Sequence, residues 1–176
     1  MMDNFEDLVY TYKHRKIVMF LADYYFDNQE LIERVKKHDM DKMFLMLFFE
    51  KKQIKELHVS TSSHHDNDVP KTDLDYMEMI LDWESARYTK DDKPLNAYDT
   101  LYKYYSHLED KILPILKSIG LDYSTFDKEP AVVEFAKTVE NPTIEDIKRE
   151  LIDYINDNVT KSKDNKKAKK KTKKTK

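Results

Sequence analysis

A histidine followed directly by an aspartate, His38-Asp39, with Lys42 three places on, is the stretch of this chain best suited to chemistry. Leu31, Val35, His38, Lys42, Leu45 and Phe49 recur at three- and four-residue steps, which predicts a helix with His38 on its inner face. Asp39 falls on the adjoining stripe with Ile32, Val35, Met43 and Met46. Two polar, metal-competent side chains aimed at a core need a partner there. That partner is either each other, as a hydrogen-bonded core pair, or a bound cation.

Other ligand-type residues lie within reach. Five of the six histidines, His14, His38, His58, His64 and His65, fall in the first 65 residues, upstream of Asp82. His14 shares a helical face with Val18, Leu21 and Tyr25, so it looks toward the core. Asp82 closes an acidic stripe with Asp75 and Glu78 and is followed by Trp83. Imidazoles and carboxylates on successive helices can converge on one point between them. Their nitrogen and oxygen donors favour iron, manganese, cobalt, nickel or zinc over copper(I) or an iron–sulfur cluster. Plainer readings stand beside each: His14 as a satisfied core group, His64-His65 as a polar loop, Glu78 as a solvated face.

The elements that would position these groups are helical. One glycine and five prolines among 176 residues, with long periodic runs, indicate an all-α fold of about six helices in a single compact domain. The expected helices cover 3–26, 29–56, 73–89, 95–119 with a kink at Pro114 and Gly120 just past its end, 129–138, and 141–158 with Pro142 in its first turn. Residues 57–71, rich in serine, asparagine and aspartate and holding His58, His64 and His65, read as a loop. His107 reads as a surface residue, the tyrosines Tyr98, Tyr102 and Tyr105 as packing, and Met40, Met43 and Met46 as core filler.

Composition narrows the function classes. A single glycine excludes glycine-rich phosphate loops, and the lack of cysteine removes thiolate ligands, disulfides and a cysteine nucleophile. No signal peptide or membrane-length apolar run is visible, which fits a cytoplasmic protein that does not enter a membrane. The net charge of −3 hides a division: residues 161–176 carry ten lysines and one aspartate, +9, which leaves −12 for residues 1–160. The basic tail is expected to be disordered, and to contact nucleic acid weakly and without sequence preference.

His14, then His38-Asp39, then Asp82 resembles the H…HD…D signature of the HD-domain metal-dependent phosphohydrolases, and Lys42 matches the H-D-x-x-K extension common there. His58 and His64-His65 resemble the H…HD…H…HH…D arrangement of the binuclear members, HD-GYP phosphodiesterases included. With Glu78 and Asp82-Trp83 they are also similar to a group of short, uncharacterised phage and bacterial proteins. The likeness covers residues 8–90 and implies an HD-like domain over 1–160, with a metal-site half, 1–90, and a helical extension, 91–160, outside the match. Tyr10 stands where some HD-GYP proteins carry an acidic ligand, and the G-Y-P signature is absent.

The resemblance implies one or two divalent ions (manganese, iron, cobalt, nickel, zinc or magnesium). His14, His38, Asp39 and Asp82 would hold one, and Asp39 would bridge to a second on His58, His64 and His65. It implies Asp39, Lys42 and Arg87 as the catalytic set, the two cations neutralising phosphate charge. The implied activity is hydrolysis of a phosphate ester, a nucleotide being the expected small-molecule partner. The competing functions are a non-catalytic helical metal-binding or interaction protein, and a nucleic-acid-associated accessory protein acting through its basic tail.

Overall fold

Helix α5, Asp73–Thr89, is the element on which most helices of the first 141 residues pack, and its start is set by local chemistry. Thr72 and Asp75 form a capping box: the Thr72 amide and hydroxyl both donate to Asp75 Oδ2, at 2.6 and 2.7 Å. In the computed structural model, which describes the backbone of residues 4–172 and the side chains of 4–160, the chain is all-helical. Among those residues are nine α-helices, one 3-10 helix and no strand.

Before α5 come α1 (Phe5–Tyr25), α2 (Gln29–Val35), α3 (Met40–Leu45) and α4 (Lys51–Thr61). After it come α6 (Ala97–Tyr104), a 3-10 turn (Ser106–Leu108), α7 (Glu109–Ser118), α8 (Pro130–Thr138) and α9 (Ile144–Thr172). Two compact units result, Met1–Asn141 and Pro142–Lys176.

Within the first unit the apolar core has two parts that meet along α5. Ile17, Val18 and Leu21 of α1, Leu31 and Val35 of α2, Leu81 of α5 and Val132 of α8 make one. Met79 and Ile80 of α5 make the other with Ala97, Leu101, Ile112 and Leu116. Helix α7 ends in a Schellman motif: Gly120 takes a positive φ of 72°, and the Leu121 amide reaches the Leu116 carbonyl at 2.9 Å. Among the described residues no helix is long and apolar enough to cross a membrane.

The count of about six helices is corrected, chiefly because the helix expected over 29–56 is three helices. It breaks at 36–39, where Asp39 adopts the left-handed conformation (φ 55°, ψ 13°), one of the few non-glycine residue types that does so readily. Arg15 of α1 satisfies the carbonyls freed by the break, Nε donating to His38 O and Nη2 to Lys36 O, both at 2.6 Å. The predicted stripe therefore does not continue: Phe49 is 40% exposed and Phe48 66%. The segment 95–119 is likewise divided, by the 3-10 turn at 106–108, and Pro114 lies inside α7. His58 sits on α4, and the loop begins only at residue 62. Pro142 lies outside α9, which starts at Ile144, and Thr143 caps it, its hydroxyl paired with Asp146 at 2.7 Å. Of the tail expected to be disordered, 161–176, the backbone up to Thr172 continues α9, which corrects that expectation there, and the last four residues lie outside the described ones.

Candidate metal centre

The break at 36–39 is what assembles the site. Neighbouring residues of an unbroken α-helix point about 100° apart. With Asp39 left-handed, His38 and Asp39 are both buried against the same cluster. Around them α1 supplies His14, α4 supplies His58, the loop supplies His64 and His65, and α5 supplies Glu78 and, against His14 and His38, Asp82.

At one end His14 Nε2 lies 3.2 Å from His38 Nε2 and 2.9 Å from Asp82 Oδ1, and His38 Nε2 lies 3.5 Å from Asp82 Oδ1. At the other, Asp39 Oδ1 lies 2.9 Å from His58 Nε2 and 3.5 Å from His64 Nε2, and His65 Nε2 lies 2.9 Å from His58 Nε2. His14, His38 and Asp39 form one group able to hold a metal ion; Asp39, His58, His64 and His65 form another, with Asp39 common to both. His38, His64 and Glu78 make a third combination. Neighbouring ligands on a tetrahedral or octahedral ion with metal–nitrogen bonds of about 2.1 Å lie about 3.0–3.4 Å apart. The separations here are of that size.

Which ring nitrogen each histidine offers inward to a metal follows from the outer contacts. Ser85 Oγ donates its only proton to the Asp82 carbonyl at 2.7 Å, so in the 3.1 Å contact with His14 it is Nδ1–H that donates. His38 Nδ1 meets Glu78 Oε1 at 2.9 Å and His58 Nδ1 meets Asp41 Oδ2 at 2.8 Å, where only the ring can donate to a carboxylate. Each ring therefore turns Nε2 toward the cluster. This is how metal-ligating histidines are held. Pairwise hydrogen bonds do not account for the interior: buried Asp39 Oδ1 and His64 Nε2 make none, despite their short contacts. Such orphaned inward atoms fit a cation better than a self-satisfied core pair.

The electrostatics agree. Burial opposes charge on His38, but the Asp39, Asp82 and Glu78 carboxylates outweigh it and hold the imidazole's pKa up to about 10. His58, also against burial, is held up to about 9 by Asp39 and Asp41. Burial would raise Asp39 and Asp82, yet the facing imidazoles, with Lys42 for Asp39, keep both well below the ordinary carboxylate range. Burial pushes His14 down, and burial with the neighbouring His64 pushes His65 down to about 4. The carboxylates thus favour positive charge at the centre.

Of the expected catalytic cations, Lys42 is at the site, its Nζ 3.0 Å from Asp39 Oδ2. Arg87 is not, which corrects that expectation. It is 2% exposed, and its guanidinium donates to the carbonyls of Thr125 and Asp127, tying α5 to the segment before α8. Several supports were not singled out from sequence: Arg15, Asp41, Ser85, and Arg34, which pairs with both Asp75 and Glu78 behind His38. Buried arginine, and a carboxylate two residues beyond the His-Asp pair, were the signals available.

A cavity of about 430 Å³ opens at the His14–Asp82 end. Tyr10, Lys42 and Trp83 line it together with residues of the 90–105 segment. Tyr10 stacks on His14 with ring centres 5.9 Å apart. Tyr105, expected only to pack, stacks on Trp83 at 4.6 Å and faces this cavity. No family model, no curated protein and no solved structure matches this chain.

Proposed function

We propose that this chain is a metal-dependent phosphohydrolase of HD type, acting on a phosphate ester of nucleotide kind through one or two divalent ions. The observation that carries the reading is the meeting of His14, His38, His58, His64 and His65 around the single carboxylate of Asp39, with Asp82 against His14 and His38. In the proposed arrangement His14, His38, Asp39 and Asp82 hold one ion, and Asp39 with His58, His64 and His65 holds a second. Such ions lower the pKa of a water and take up charge on phosphoryl oxygens. Hydrolysis forms a bond from water oxygen to phosphorus and breaks the bond from phosphorus to the leaving oxygen, which takes up a proton.

The chain's own residues bind and orient. Lys42, next to Asp39 and lining the cavity, supplies a point charge for a non-bridging phosphate oxygen. Ser85, Glu78 and Asp41 fix the rings so that the inward lone pairs do not wander. Access is from the His14–Asp82 end, where the Asp82 side chain is 20% exposed while His38 is fully covered.

The test is metal analysis of the purified protein, then a screen of nucleotides and bis(p-nitrophenyl) phosphate with manganese, cobalt or magnesium. Asp39→Ala should keep the helical circular-dichroism spectrum and lose at least about a hundredfold in rate, as expected when charge stabilisation at the reacting centre is removed. Full activity in that variant would sink the proposal. Bound metal with no turnover across the screen would favour a non-catalytic metal-binding protein.

A further inference from the structure

One wall of the cavity beside the cluster is made by residues that hold no metal ligand. Lys90, Lys93 and Lys103 line it from the segment joining α5 to α6 and from α6 itself. Some lysines elsewhere are matched, Lys36, Lys51, Lys137 and Lys148 each lying 2.6–3.0 Å from a carboxylate. Among the described residues the three cavity lysines form no ion pair. Lys90 instead sits over the Tyr10 ring at 4.3 Å and Lys103 over Tyr104 at 5.1 Å. Among the described residues, Asp82 and Asp92 are the carboxylates that line the cavity. Residues 1–160 carry −12, so a cavity lined by Lys90, Lys93 and Lys103 against two carboxylates runs against composition.

The same cavity has a flat aromatic side. Trp83 and Tyr105 are nearly parallel, 8° apart, and Tyr104 stands beside them, 58% exposed. A volume of about 430 Å³ is within the range of small-molecule sites. Stacking surface and cations together, next to a centre that would hold the reacting phosphorus, match a ligand with a planar base and several phosphates.

We infer that Lys90, Lys93 and Lys103 form a subsite for phosphate groups other than the one attacked, so that the substrate is a nucleoside di- or triphosphate rather than a monophosphate. The inference rests on the phosphohydrolase reading for its reacting phosphate, but the subsite is a property of these lysines. Exposed lysines are screened by salt and act weakly one by one, so the discrimination is carried by the three together.

The experiment measures equilibrium binding of adenosine mono- and triphosphate to the full chain, with chelator present so that no turnover occurs. The wild type should prefer the triphosphate by at least about tenfold at low salt, and K90Q/K93Q/K103Q should bring that ratio below about threefold, a loss of three point charges near the ligand. The lysine-rich end is unchanged in this variant, so the difference reports the cavity alone. Circular dichroism checks that the exposed substitutions leave the fold intact. An unchanged ratio in the variant, or no preference in the wild type, overturns the subsite. Hydrolysis of bis(p-nitrophenyl) phosphate with manganese is read separately. Turnover there without triphosphate preference sinks only the subsite; triphosphate preference lost in the variant, without turnover on any ester, upholds the subsite and sinks the hydrolase.

Discussion

At the His14–His38–Asp82 end of the cluster each ring is held from behind by a helix residue, whereas at the His58–His64–His65 end only His58 is. Ser85 and Glu78, both on α5, fix His14 and His38, and Arg34 fixes Glu78 in turn. On the other side Asp41 fixes His58, but His64 Nδ1 stands 3.5 Å from Glu78 Oε1 and forms no hydrogen bond there. His64 and His65 sit on a loop. The difference teaches where preorganisation comes from in this fold: ligands on helices whose outer nitrogens are bonded lose little freedom on binding an ion, and ligands on a loop lose more. The first end also opens to the cavity and the second does not.

If two ions bind, they should bind unequally. Titration with cobalt, followed by its visible absorption, should show a tight step and a weaker one. His38→Ala should remove the tight step, with an affinity loss of at least about a hundredfold, the upper range seen when even an outer partner is removed. His65→Ala should remove the weaker step and leave the tight one within about threefold. Equal losses in both variants would break the comparison between the ends. Next in size, Glu78→Ala strips the anchor from His38 and should weaken the tight step by about ten- to a hundredfold.

Protons sharpen the comparison further. With folded pKa values held up to about 10 and about 9, His38 and His58 carry protons at neutral pH in the metal-free chain. An ion must displace them, so binding should release about one proton per ion and strengthen as pH rises from about 6 to 9. The sign for stability follows. These rings are raised above the ordinary 6.5, so their contribution to metal-free stability is complete below that value and is lost as pH climbs through about 9 to 10. The melting temperature of the metal-loaded protein minus that of the metal-free protein should therefore widen with pH. A gap that narrows would contradict protonated rings in the free cluster.

The helical class and the inward histidines were legible in the sequence, but for His38 the inward direction followed from the wrong geometry. The stripe from Leu31 to Phe49 presumed one helix, and the chain breaks at Asp39 instead. Periodicity does not reveal a left-handed aspartate, because its stability comes from Arg15 on α1 capping Lys36 and His38 carbonyls. Arg87 failed for a related reason: spacing from Asp82 says nothing about which carbonyls a buried guanidinium will find, and it found Thr125 and Asp127. The Trp83–Tyr105 face needed a contact between α5 and the end of α6 that no local pattern encodes.

The smallest expected effect tests the loop itself. Asn67 Nδ2 donates to the carbonyls of Val59 at 2.7 Å and Ser62 at 2.9 Å, while its Oδ1 accepts from the Val69 amide and Lys71. These bonds hold the turn that carries His64 and His65 against the end of α4. Asn67→Ala removes all of them and frees the loop without touching a ligand, at a cost of about 1 kcal/mol for half-buried carbonyls left partly unmet. Only the part of that cost spent on ordering the two histidines appears in ion binding. The weaker cobalt step should therefore weaken by less than about tenfold. The tight step, whose rings are anchored on α5, should not move. Equal weakening of both steps would mean that the cluster responds as one rigid unit, and that the contrast between its helix-held and loop-held ends has no energetic content.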